Sequence, residues 1–370
     1  MKKIKILQVI GSLRIGGAEV VTVNFQKYNQ DQLKVDYLVY GDTVGELENK
    51  VKELGGRIIR IPAPKNGYLK FTRNVRNVIR EYGPYDIVHS HPLFNSGFIL
   101  KAAYIEKVPK RISHAHSARF NEKSSLIKKF YMGLMRYYIR NYSTHLLACS
   151  KAAGNYLFGE ESFSEKGDIW NNAIDSKKYV YSEKVRNEVR SELNISGMFV
   201  IGHVGRLCDV KNQDFILDIF KEVKEKNTNS KLLLVGDGAI KNNLERKVKN
   251  YNLKNDVLFL GARNDVNRLL QGMDVFLFPS KYEGLGIALI EAQAAGLQCI
   301  ISDAIPQEVE ITNLINRVPL SKNATEWAEK VLNYNNGYGR MNTLKEISLS
   351  GYDIEGVIQK VKTIYVPTNN

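Results

Sequence analysis

The feature that most constrains this chain is an alternation of short, β-branched apolar runs with longer stretches of helical periodicity. Residues 4–10, 35–40, 57–61, 87–90, 111–115 and 145–149 read as strands, and 199–205, 231–236, 257–260, 275–279 and 298–302 restart the pattern. Strands separated by helices pair in parallel and are covered on both faces. A chain of 370 residues is too long for one core of about 100–150 residues. The expectation is an α/β protein of two Rossmann-like, doubly wound domains. The join falls near 170–175, where Asn171 and Asn172 end the last strand of the first half, and the charged stretch 182–192 opens a helix of the second. Ligands of open α/β sheets sit at the C-terminal ends of the strands, so two such domains facing each other would line one cleft.

Charge asks for a partner. The net charge is +14, and between Lys101 and His145 ten Lys and Arg face only Glu106 and Glu122. Such a field gathers anions: nucleic acid, lipid headgroups or phosphorylated small molecules. Nucleic acid is the disfavoured member of that set, because its binders interleave basic residues with exposed aromatics along a groove. Cys149, Cys208 and Cys299 lie far apart without metal-ligand spacing, so no zinc site is expected. No apolar run approaches the ~20 residues that cross a bilayer. The opening run 4–10 has no small-residue cleavage site after it and reads as a first buried strand.

Several loops at strand ends carry chemistry-bearing residues. Gly11 to Glu19 follows a strand and precedes a helix, so the backbone at Gly16 and Gly17 can meet a phosphate, although the glycine spacing is not the dinucleotide fingerprint. Glycines in such turns are as often structural. In the second half Arg206 and Lys211 flank a loop where two cations can clamp a diphosphate; an isolated Arg-x4-Lys is more often a pair of solvated surface charges. Gly236-Asp237-Gly238 forms a further tight loop. Glu283 and Glu291 stand eight positions apart, with Gly284, Leu285, Gly286 and Ile287 between a strand and a helix start. Carboxylates are acceptor-only and suit paired hydroxyl donors of a sugar. His114 and His116 share one face at a strand end.

This ordered set resembles the glycosyltransferases of family 4, with the GT-B fold, over nearly the whole chain. The matching residues are Gly16 to Glu19, His114 to Ser117, Gly205-Arg206 with Lys211, Gly236 to Gly238, and Pro279-Ser280 leading to the two glutamates and on to Gly296. Gln298 after Gly296-Leu297 departs from the family, where many relatives have Pro. The resemblance implies that Arg206 and Lys211 hold the donor diphosphate, Glu291 the ribose, and Glu283 with Gly284 to Ile287 the transferred sugar. It implies that Gly16 and Gly17 approach the phosphate and acceptor, the main chain of Arg263 meets the nucleobase, and His116 reaches the sugar. His116, Arg206, Lys211 and Glu283 are the expected catalytic residues. The domains would be 1–170 for the acceptor, 171–352 for the donor, and a helix in 353–370 returning to the first.

The implied reaction moves a sugar, with a UDP-sugar the expected donor, to a glycan or polyprenyl-linked acceptor in surface polysaccharide biosynthesis. Retention is expected through front-side attack, with no metal and no cofactor, since two cations stabilise the leaving diphosphate. Residues 126–142 place Leu126, Ile127, Phe130, Tyr131, Leu134, Tyr137 and Tyr138 on one helical arc and Lys128, Lys129, Arg136 and Arg140 on the other. That pattern fits a helix on an anionic membrane, hence a cytoplasmic protein held at the inner face of the membrane, and equally a helix packed on the sheet with a solvated basic side. The rival readings are a nucleotide-sugar epimerase of the same architecture and a non-enzymatic basic binder.

Overall fold

The computed structural model describes residues 3–14, 16–117 and 125–365. Arg119, Glu122 and Lys123 of the basic stretch lie outside them. The chain divides into two compact units, Met1–Ala173 with Glu355–Asn370, and Ile174–Ile354.

The first unit holds seven strands: β1 (Ile4–Val9), β2 (Leu33–Tyr40), β3 (Arg57–Ile61), β4 (Ile87–Ser90), β5 (Lys110–Ala115), β6 (His145–Ala148) and β7 (Gly167–Ile169). All pair in parallel in the order β3-β2-β1-β4-β5-β6-β7. The order reverses between β1 and β4, and helices return the chain after each strand.

The second unit repeats the plan with β8 (Phe199–Val204), β9 (Ser230–Val235), β10 (Val257–Gly261), β11 (Val275–Phe278), β12 (Gln298–Ser302) and β13 (Ile315–Val318). These are again parallel, in the order β10-β9-β8-β11-β12-β13, with the reversal between β8 and β11. Strand β13 is absent from the sequence reading because Ile-Asn-Arg-Val is short and half polar.

Two-residue periodicity sorts the second sheet into two cores. Ile201, Leu232, Leu234, Val275, Leu277 and Ile300 meet Ile216, Phe220 and Trp327 on one face. Val200, Leu233, Val235, Phe276, Phe278 and Ile301 meet Leu269, Leu289 and Ile290 on the other. Each fully buried side chain of this kind contributes about 1.5–3 kcal/mol. With both faces sealed, ligand access is left to the loops at the strand ends.

Candidate active site

The reversal between β8 and β11 places the loops after these strands side by side, where an open α/β sheet leaves a crevice. Both loops carry the expected residues. The β8 loop turns through a 3-10 segment, Asp209–Lys211, and Asn212 in the left-handed region (φ 60°) before helix Gln213–Lys226. The loops are stitched together: Asn212 Nδ2 donates to Pro279 O at 3.0 Å and Lys281 N to Val210 O at 2.8 Å. The stitching brings Lys211 Nζ to 2.5 Å from Glu283 Oε1, a mostly buried ion pair, with the ammonium 4.9 Å from the Phe278 ring centre. Lys211 is therefore already paired, with N–H groups left for an incoming phosphate. Arg206 is exposed just upstream.

Buried Gln213 organises the β8 loop. Its Nε2 donates to Arg206 O at 2.9 Å and lies 3.1 Å from His203 Nε2, while its Oε1 accepts from Cys208 N at 3.3 Å. His203 Nδ1 is 3.0 Å from Leu277 O, so the proton belongs on Nδ1 and Nε2 accepts. Burial lowers the His203 pKa to about 4, so the ring is neutral at pH 7. Neither residue was singled out by sequence; a polar pair spaced i, i+10 across a strand end is the faint signal. After β9, Gly236 adopts φ 137° and a Cβ there would stand 2.0 Å from Gly205 O, so the loop tolerates only glycine.

Gly286, at φ 69°, begins helix Ile287–Ala294, whose first turn has no side-chain cap. That leaves backbone donors and the positive end of the helix dipole beside Glu283. Glu291, one face further along, accepts from Tyr179 Oη at 2.6 Å. Burial pushes its pKa up to about 7, against the Tyr179 hydrogen bond, which lowers it. Arg263, two residues beyond β10, is exposed and makes a two-pronged contact with Asp265 at 2.7 and 2.6 Å, which fixes the turn.

In the first unit the reversal lies between β1 and β4, and a cavity of about 550 Å³ opens there, lined by Gly11, Glu19, Tyr40, His91, Asn95 and Tyr131 among others. Gly16 caps helix Gly17–Tyr28 in an extended conformation, and Glu19 Oε2 would lie 2.5 Å from a Cβ at Gly16. A carboxylate thus folds back over the helix start, and a phosphate reaching Gly16 and Gly17 must displace it. His116, just past β5, has Nε2 2.7 Å from His91 Nδ1, and burial lowers its pKa to about 4.

Against known proteins, residues 15–178 match the family described as glycosyltransferase family 4, and residues 185–347 the family described as glycosyl transferases group 1. EpsF of Bacillus subtilis is 33% identical over 98% of this chain and 96% of its own. The chain belongs to the family 4 glycosyltransferases. The capsular polysaccharide biosynthesis glycosyltransferase CapH of Staphylococcus aureus is 26% identical over 98% of this chain and 99% of its own. Among solved structures, Anabaena HepE in complex with UDP and glucose matches at TM-score 0.79 and 19% identity, covering 97% of this chain and 98% of that one. The fold of this glycosyltransferase is thus GT-B, built from two Rossmann-like domains.

One expectation for the transferase needs correcting. Arg136 is half-buried, and although Arg140 is exposed, the guanidinium groups of both are engaged by main-chain carbonyls. Arg136 donates to Tyr156 O (2.7 Å) and Leu157 O (3.3 Å), and Arg140 to Phe158 O (2.6 and 2.8 Å). Both close the C-terminal end of helix Lys151–Phe158, where unpaired carbonyls and the negative dipole end attract cations. The inward face of helix Leu126–Tyr142 is not the arc expected but one beside it. Met135 and Ile139 are buried, whereas Leu126, Ile127 and Phe130 are 82%, 83% and 75% exposed, with Leu134 and Tyr137 beside them. Lys128 and Lys129 remain exposed at the start of that stripe.

Proposed function

We propose that this glycosyltransferase moves a sugar from a UDP-sugar to a glycan or lipid-linked glycan acceptor in surface polysaccharide biosynthesis, with retention at the anomeric carbon and without a metal. The observation that carries it is the Lys211–Glu283 pair at the β8/β11 reversal, beside exposed Arg206 and the uncapped start of helix Ile287–Ala294. Two cations and backbone donors meet the charge that develops on a departing diphosphate. Glu283 and Glu291 accept from the hydroxyls of sugar and ribose. UDP in HepE and the capsular role in CapH's name support the donor class and the pathway.

The anomeric carbon–oxygen bond to the diphosphate breaks as the acceptor oxygen attacks the same face, and the leaving phosphate takes the acceptor proton. Arg206 and Lys211 supply the charge that a metal supplies elsewhere. His116 and the cavity beside it would orient the acceptor. The exposed stripe Leu126, Ile127, Phe130, Leu134 and Tyr137, with Lys128 and Lys129 and the net charge of +14, suits the anionic inner surface of a membrane where a lipid-linked acceptor resides.

The test is transfer from isotopically labelled UDP-sugars to lipid-linked saccharides in the presence of a chelator, with the product linkage read by NMR. Transfer with the donor's anomeric configuration kept is expected. Inversion, dependence on added Mg²⁺ or Mn²⁺, or rearrangement of the donor without acceptor would overturn it.

A further inference from the structure

Four of the chain's six histidines converge on one face of the first sheet. His89 and His91 alternate along β4 and its extension, His114 and His116 along β5 and its extension, and the register setting Ser90 opposite Ser113 puts the two pairs side by side. The rings of His89 and His114 lie nearly parallel with centres 5.3 Å apart; His89–His91 and His114–His116 are closer still, at 4.2 and 4.0 Å. His89, His91 and His114 are each less than a tenth exposed.

Buried imidazoles ordinarily satisfy both ring nitrogens. Among the described residues, neither nitrogen of His114 finds a hydrogen-bond partner, nor does His89 Nε2. Each such atom loses its bond to water on folding without gaining another. An apolar side chain would fill the same space without that cost, so the cluster points to a ligand that takes lone pairs.

The outer hydrogen bonds show which lone pairs are on offer. Gln8 Nε2 faces Tyr365 Oη at 3.4 Å, which leaves its Oε1, 2.7 Å from His91 Nε2, as an acceptor. His91 therefore carries its proton on Nε2 and a lone pair on Nδ1. Tyr365 Oη also meets His89 Nδ1, and in the tautomer in which Nδ1–H donates to the phenol oxygen the lone pair is on Nε2, which has no hydrogen-bond partner. An outer nitrogen held by a protein oxygen is how metal-binding histidines are oriented; the inner nitrogen of His91 now meets only His116 Nε2, at 2.7 Å, and must exchange that contact for a cation. His89, His91 and His114 each offer one ring nitrogen, and the three atoms lie within 4.8 Å of one another. Small side-chain rotations close that spacing onto a cation about 2.1 Å from each.

We propose that His89, His91 and His114 form a binding site for a borderline divalent cation such as Zn²⁺. All-imidazole ligation selects Zn²⁺, Co²⁺, Ni²⁺ or Cu²⁺ over Mg²⁺ and Ca²⁺, which require oxygen. The site does not depend on the transfer reaction proposed above, which needs no metal. It does touch it: His91, which lines the cavity of the first unit, has Nδ1 2.7 Å from His116 Nε2, so an occupied site withdraws that partner from His116.

The experiment is equilibrium dialysis of the full chain against ZnCl₂ and, separately, CoCl₂. One retained equivalent of Zn²⁺, a raised Tm, and the intense visible absorption of tetrahedral Co²⁺ are expected. Weak octahedral Co²⁺ bands, or no retained metal, would overturn the site. His89→Gln and His114→Gln should each lose the equivalent, Gln8→Leu should weaken it about 10–100-fold, and His145→Gln, outside the cluster, should keep it. Retention undiminished in folded His89→Gln or His114→Gln would also overturn it. Should those variants not fold, the wild-type Co²⁺ spectrum decides.

Discussion

At the scale of single residues, Lys211 and Glu283 hold each other in a mostly buried pair, and removing one partner leaves the other charge uncompensated. Lys211→Met is expected to lower stability by about 3 kcal/mol, read by urea unfolding. Lys211→Met combined with Glu283→Gln should recover most of that stability and none of the activity, which separates the structural from the chemical role. Arg206 is exposed, so Arg206→Ala should leave Tm unchanged while reducing kcat about 10²–10³-fold. Glu291 carries a pH signature. Its carboxyl keeps its proton to about pH 7 in the folded chain against an ordinary 4.5, so the folded state binds more protons in that interval and stability falls as pH rises through it. Glu291→Gln should lose this decline, a difference on the order of 2–3 kcal/mol between about pH 5 and pH 8. All four of these residues were legible in the sequence. Their pairing was not: Lys211 and Glu283 are 72 positions apart, and only the strand order makes them neighbours. The second histidine pair, His89 and His91, was missed for the same reason. A lone His-x-His reads as strand alternation until its neighbour strand is known to carry another.

At the scale of elements, the strand-loop-helix units were the most readable part, because buried parallel strands are near-continuous apolar runs. Boundaries differ by a residue or two, and the short polar β13 was missed. Helix Leu126–Tyr142 shows where periodicity misleads. The reading assigned one apolar arc and left out Met135 and Ile139, and only the packing partners decide that these two go inward while Leu126, Ile127 and Phe130 stay out. The two roles on this helix separate experimentally. Replacing Leu126, Ile127 and Phe130 by Ser should reduce co-sedimentation with anionic vesicles and leave Tm unchanged. Arg136→Ala should lower Tm through loss of its bonds to Tyr156 and Leu157, with little effect on vesicle binding. Equal vesicle binding by the serine variant would remove the helix from the membrane reading.

At the scale of the whole molecule, two parallel sheets each reverse strand order once, and each reversal gathers chemistry-bearing residues: cations and carboxylates after β8 and β11 in one unit, a cavity and histidines at β1, β4 and β5 in the other. Identity to EpsF along 98% of the chain assigns the family, and the proposed function assigns the donor to the unit that carries Lys211 and Glu283. The most direct measurement is calorimetric titration of UDP and UDP-sugars onto the wild type and onto the Lys211→Met, Glu283→Gln chain. The predicted result is one site per chain in the wild type, tighter for a UDP-sugar than for UDP alone, and at least about tenfold weaker in the variant, a loss of about 1.4 kcal/mol or more. Equal binding by both proteins would contradict the placement of the donor between the β8 and β11 loops.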